Sequence, residues 1–132
     1  MDKRSELNLV GVHPDLIRVV RRAAELTKQP FIVIDGLRTI DEERANIAKG
    51  VSQTLNSRHL PNKDGVACAV DLMAIVPGST PVKADWNPTH YQPIAAAMLS
   101  AAHELNILVE WGGNWKTLKD WGHFQLPWAI YK

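Results

Sequence analysis

Leu16, Val19, Val20, Ala23 and Leu26 recur at helical spacing, while Arg18, Arg21, Arg22 and Glu25 fill the opposite positions. The pattern predicts an amphipathic helix, and Pro14 suits its first turn, where no intrahelical N–H bond is lost. The period then changes. Phe31-Ile32-Val33-Ile34 is short, apolar and β-branched, so it predicts a buried strand that ends at Asp35-Gly36 and delivers Leu37-Arg38-Thr39 to a turn. A second helix is expected from about Ile40 to Lys49, stopping at Gly50. The segment Asn56 to Gly65 is loop-like, and Val66 to Ile75 predicts another strand. Between Pro88 and Leu105 a third helix carries Ile94, Met98, Ala102 and Leu105 on one stripe, with Pro93 near its first turns and Asn106 as its stop. Ile107-Leu108-Val109 predicts a third strand, Gly112-Gly113 a turn, and His123-Phe124-Gln125-Leu126 a fourth strand. Short loops segregating these elements favour an α+β fold, a small antiparallel sheet of about four strands packed with about three helices.

Period two divides the strand from Val66 into faces. Val66, Cys68, Val70 and Leu72 share one side, and Ala67, Ala69, Asp71 and Met73 the other. The first side reads as core. On the second, small alanines leave room beside the Asp71 carboxylate, and Cys68 becomes a buried apolar residue facing away.

Composition bounds the function. A chain of 132 residues, 45% hydrophobic and 22% charged, is long enough for one core, so a single domain over residues 1–132 is expected. The 15 basic and 14 acidic side chains are dispersed, which gives no nucleic-acid footprint. A lone Cys68 cannot form an intrachain disulfide and fits synthesis in a reducing compartment. The start is polar, the apolar run after it is too short for a signal peptide, and no stretch approaches membrane-spanning length. A target outside the cytoplasm would therefore require delivery by another protein.

Candidate chemistry lies in two separated segments, Ser57-Arg58-His59 running on to Asp71, and Asp120-Trp121-Gly122-His123. Two imidazoles and a carboxylate are a ligand set that leaves a fourth zinc position open for water, and Asp120 adds a second carboxylate as general base. The combination predicts a hydrolase with its zinc site at the sheet. Glu110 is the rival base or a strand-end carboxylate that meets substrate; His13, His90 and His103 sit in no ligand pattern and read as structural or exposed. Arg38 has a bland reading too, as a helix cap or a partner of Asp41, Glu42 or Glu43. Trp111, Trp115, Trp121 and Trp128 crowd the last third, where most are expected in the core and one or two along a peptide groove.

Ser57-x-His59 with a downstream Ala69-x-Asp71, then Glu110-Trp111-Gly112-Gly113-Asn114-Trp115 and a terminal Asp120-x-x-His123, resembles the zinc peptidases of the D-alanyl-D-alanine carboxypeptidase superfamily. Within it the chain is most similar to the phage-type L-alanyl-D-glutamate endopeptidases, a likeness that extends to Val12-His13-Pro14-Asp15-Leu16 and Asp35-Gly36-Leu37-Arg38-Thr39.

The resemblance implies an endolysin that hydrolyses the L-alanyl-D-glutamate amide in the stem peptide of peptidoglycan. It implies that His59, Asp71 and His123 ligate zinc, that Asp120 is the catalytic carboxylate, that Arg38 stands near the polarised carbonyl, and that Ser57 is the motif serine beside the first ligand. It also implies action on the wall in the periplasm by a chain made in the host cytoplasm and released by a holin-type partner; the absence of a wall-binding repeat suggests a catalytic domain working alone, and a monomer is the default expectation. Two positions depart from the family pattern. Eleven residues separate His59 from Asp71, where the family has a shorter turn, and Gln125 stands where many relatives carry an acid. Pro61 and Asp64-Gly65 are turn formers that accommodate the longer loop. The competing functions are a D,D-carboxypeptidase or dipeptidase on the same scaffold, and a zinc-stabilised wall-binding module without turnover.

Overall fold

The first element in the chain is one that hydrophobic periodicity does not reveal. In the computed structural model, which describes residues 1–49, 57–117 and 119–132, helix α1 spans Lys3–Asn8. Asp2 caps it by accepting from the Ser5 backbone N–H and the Ser5 hydroxyl. The helix docks through polar atoms. Ser5, fully buried, accepts from the Val33 N–H at 2.9 Å, and the Asn8 amide donates to the Val33 carbonyl at 2.8 Å. Val33 lies on the sheet's outer strand, so α1 satisfies backbone groups that would otherwise stand unpaired. Ser5→Val should therefore strand a buried N–H and lower the unfolding free energy by about 1–3 kcal/mol, measured by urea denaturation.

Most of the other elements stand where the sequence pattern puts them, with β2 shorter than the expected Val66–Ile75. Helix α2 spans Pro14–Leu26 and buries Leu16, Val19, Val20 and Ala23; His13 caps it, its Nδ1 accepting from the Asp15 N–H at 3.0 Å. Strand β1 is Phe31–Asp35, helix α3 is Ile40–Ala48 with Thr39 as its cap, and strand β2 is Ala69–Ala74. The expected stop at Gly50 and the loop start at Asn56 lie outside the described residues. Helix α4 spans Tyr91–Leu105 and ends where Asn106 turns left-handed at φ 58°. Strands β3 (Glu110–Trp111) and β4 (His123–Gln125) complete an antiparallel sheet of order β1-β2-β4-β3. The fold is α+β, with four α-helices among the described residues instead of about three.

The expected third strand at Ile107–Val109 is displaced. After the left-handed Asn106, the Ile107 N–H returns to the Ala102 carbonyl at 2.9 Å, so Ile107 closes α4 and packs into the core while Leu108 is exposed. Pairing with β4 begins only at Glu110.

One sheet face carries Val33, Val70, Leu72 and Phe124 into a core shared with α2 and α4, where each fully buried aliphatic or aromatic side chain contributes about 1.5–3 kcal/mol. Cys68 is buried in that core as expected, and burial pushes its thiol pKa up. The other face pairs Asp35 with Asp71, Asp71 with His123, and Gln125 with both Ala69 and Glu110. All the polar chemistry thus lies on one side of a small sheet.

Arg58, next to a candidate ligand, is buried for a structural reason. Its guanidinium donates to the Leu126 and Tyr131 carbonyls and lies 4.0 Å from the centre of the Trp128 ring, clamping the C-terminal segment onto the loop before β2. Tyr131 in turn donates to Asp15 at 2.8 Å. Burial and that hydrogen bond push the Tyr131 phenol from 10.0 up to about 12. A raised acid keeps its proton longer in the folded chain, so this stabilising contribution is complete below pH 10 and lost as pH rises towards 12. Urea midpoints at about pH 9 and about pH 11 should fall more steeply for the parent protein than for Tyr131→Phe.

Candidate functional site

The site begins with two loops joined by backbone. The β1 strand ends in a turn whose Arg38 N–H donates to the His59 carbonyl at 2.8 Å, while the Gly36 carbonyl accepts from His59 Nδ1 at 2.8 Å. Glycine is required at 36 because a Cβ would stand 2.3 Å from the Asn8 carbonyl of α1. Ser57 Oγ accepts from the His59 N–H at 3.1 Å, which fixes the approach of the loop. Beyond His59, the long loop is organised by Asn62, whose side chain accepts from the Asp64 and Val66 N–H groups.

Asp71 is the hub. His59 Nε2 stands 3.2 Å from its Oδ2, His123 Nδ1 stands 3.1 Å from its Oδ1, and Arg38 donates to Oδ2 at 3.3 Å. Both histidines are nearly inaccessible, at 2% and 6% exposure, so water does not resolve their polar requirements. The Gly36 carbonyl can only accept, so His59 carries its proton on Nδ1. Its Nε2 then presents a lone pair to a carboxylate oxygen, and this buried nitrogen has no hydrogen-bond partner among the described residues. Two acceptors facing one another across 3.2 Å require a proton or a cation between them.

The geometry suits a metal ion. One ligand atom each from His59, Asp71 and His123 lies within 4.8 Å of the others. Ligands about 2.0–2.1 Å from a tetrahedral zinc stand roughly 3.3 Å apart, close to the separations measured at Asp71. Without a cation, burial raises the Asp71 pKa, but positive charge at His59 and the hydrogen bond from His123 outweigh it and hold the carboxyl well below the usual range. Burial likewise depresses His123, and Asp71, Gln125 and Asp120 outweigh it to raise its pKa.

Asp120 enters from the loop before β4. Its backbone N–H donates to the Gly112 carbonyl at 3.2 Å, and its carbonyl accepts from the His123 N–H at 3.3 Å. Gly112 permits this approach, since a Cβ there would lie 2.4 Å from the Asp120 carbonyl oxygen. The side chain is exposed at the rim. Partial loss of hydration, followed by the negative charge of Asp71, pushes its pKa up, with His123 pulling the other way. A carboxylate with enhanced proton affinity beside a cation-binding cluster has the character of a general base.

The structure therefore brings His59, Asp71, His123, Arg38 and Asp120 into one neighbourhood, with Ser57 behind His59. Arg38 spans Asp71 and Asp35, the latter contacted by its Nε. Asp35 did not emerge from the sequence as a site residue, because Asp-Gly after a strand signals a turn. Gln125 was seen only as a departure from a pattern, yet two residues beyond His123 on a strand is the same face, and its Oε1 lies 2.7 Å from His123 Nε2. Among the tryptophans, Trp111 and Trp121 pack against the core, but Trp128 is exposed. Trp115 is half-buried with its ring 5.1 Å from that of His123. His13 caps a helix, His90 pairs with Asp85, and His103 is exposed in the last turn of α4.

A family model described as phage L-alanyl-D-glutamate peptidase matches residues 1–124. The chain is 32% identical over 123 residues to the L-alanyl-D-glutamate peptidase of Escherichia phage T5, covering 90% of this chain and 83% of that relative. It also resembles the crystal structure of the Serratia marcescens L-Ala D-Glu endopeptidase ChiX, with a TM-score of 0.86 and 46% identity over 99% of this chain and 92% of the other.

Proposed function

Since the chain belongs to the phage L-alanyl-D-glutamate peptidase family, we propose that it is a zinc-dependent endolysin hydrolysing the L-alanyl-D-glutamate amide of the peptidoglycan stem. The observation that carries the zinc reading is the buried His59 Nε2, which has no hydrogen-bond partner among the described residues and stands 3.2 Å from Asp71 Oδ2. His59, Asp71 and His123 hold the ion, within one catalytic domain over residues 1–132. Bound zinc supplies Lewis acidity at the scissile carbonyl and makes water at the site acidic enough to react near neutral pH.

The remaining steps belong to the chain. Asp120 accepts a proton from the attacking water as the C–O bond forms, then returns it to the departing D-glutamate nitrogen as the C–N bond breaks. Arg38 contributes fixed positive charge where negative charge develops on the carbonyl oxygen, and its contacts with Asp35 and Asp71 hold it in place. Ser57 positions His59 through its backbone. Family membership supports the cell wall as the place of action; cytoplasmic synthesis, holin-type release and a monomeric state are part of the same proposal. Among the described residues no helix is long and apolar enough to cross a membrane.

Mass spectrometry of purified peptidoglycan digested by zinc-loaded protein tests this reading, with chelated protein as control. New D-glutamate amino termini that require zinc are expected. Loss of terminal D-alanine instead would assign a D,D-carboxypeptidase, and bound zinc without cleavage would assign a wall-binding module.

A further inference from the structure

Beyond the ligands, a row of side chains runs along the same sheet face to its β3 edge. His123 and Gln125 alternate on β4 and point to one side, and Gln125 stands opposite Glu110 on β3. Ala69, the β2 neighbour of Gln125, is small enough to leave the amide room. The Gln125 Oε1 lies 2.7 Å from His123 Nε2, and its Nε2 donates to Glu110 Oε1 at 3.3 Å. His123 Nδ1 is left facing Asp71.

The polarity of this row is set from its outer end. A carboxylate has no proton to donate, so Glu110 requires the NH2 group of Gln125 to face it. The amide oxygen must then face His123, which requires the imidazole proton on Nε2. The lone pair is thereby left on Nδ1, towards the metal cluster. We propose that Glu110 and Gln125 are positioning residues that select the ring nitrogen through which His123 binds the metal. The inference rests on the zinc reading above and adds to it a role for Glu110, a residue with the chemistry of a base but the position of an orienting group. His59 uses a different device for the same purpose, the Gly36 carbonyl, and so presents the opposite nitrogen, Nε2. Outer partners of this kind alter metal affinity by roughly 10–100-fold.

A double-mutant cycle in zinc affinity, read by chelator competition on the full chain, tests the relay together with long-range proton–nitrogen NMR of the imidazoles. Glu110→Gln allows the Gln125 amide to turn over and should weaken zinc about tenfold or more. Gln125→Glu provides an acceptor for Nε2–H that needs no orientation, so adding Glu110→Gln to it should cause no further loss. Simple removal of a negative charge would weaken zinc equally in both backgrounds, which would overturn the proposal. The NMR spectra of the zinc-loaded protein should show His123 protonated on Nε2 with the metal on Nδ1; in that state, protonation on Nδ1, or zinc bound through Nε2, would also overturn it. Failure of the unsubstituted protein to bind zinc would overturn the zinc reading and this inference with it, whereas zinc binding without coupling would sink the relay alone.

Discussion

Asp120→Asn is expected to reduce peptidoglycan cleavage by about 10²–10⁴-fold while zinc content and the urea midpoint stay where they are. The backbone of Asp120 bonds to the Gly112 carbonyl and accepts from the His123 N–H, and its carboxylate accepts from the Gly122 N–H; asparagine keeps the first two and its amide oxygen can replace the third. What asparagine cannot do is take a proton. The Asp120 carboxyl has its proton affinity raised by lost hydration and by the nearby Asp71 charge, and this property has no use in a wall-binding module. Turnover measured beside metal content by mass spectrometry separates the alternatives. Unchanged cleavage would remove Asp120 from the mechanism and direct attention to Glu110 as base, and loss of zinc with turnover would make Asp120 part of the metal site.

The second large effect concerns Asp71→Ala. Zinc at about 1,000 times its dissociation constant should stabilise the parent protein by about 4 kcal/mol and leave the variant unchanged, with cleavage reduced to background. Asp71 is touched by both histidines and by Arg38, so its removal takes away the anion about which the cluster is arranged. The variant also removes the Asp71 contact of the half-buried Arg38, which among the described residues also contacts Asp35, so a lower stability in the absence of zinc is expected. Thermal unfolding with and without added zinc reads both consequences. A zinc-dependent shift of full size in Asp71→Ala would show that the ion binds elsewhere.

The three residues of the candidate metal site could be singled out before any fold was known because they stand in motifs of local spacing. Asp120 and His123 are three apart, and Ala69 and Asp71 flank a single residue on one strand. Period two even told which side of this segment faces the core: Cys68, Val70 and Leu72 are in it and Asp71 is turned away, although Val66, before β2 begins, is only half-buried and lies outside the core. The same logic would have found Gln125, had the strand been taken to continue the face on which His123 lies. Helix α1 could not be read in this way, since Ser5 and Asn8 dock it by hydrogen bonds to a strand edge and leave no apolar period. Ile107 misled for a related reason: an apolar β-branched run has the appearance of a strand, but its first residue completed a helix cap.

Local order along the chain thus determined the α2, α4, β1 and β2 elements, the α+β class and the types of residue that meet at the site, because periodicity and motif spacing are properties of neighbours in sequence. Tertiary structure alone decided which nitrogen each histidine presents, that Arg38 is shared between Asp35 and Asp71, and that Glu110 reaches His123 through Gln125. Those outcomes depend on hydrogen-bond partners brought from distant segments. A donor's direction is settled only when the acceptor, whether the Gly36 carbonyl or the Glu110 carboxylate, has been folded into place.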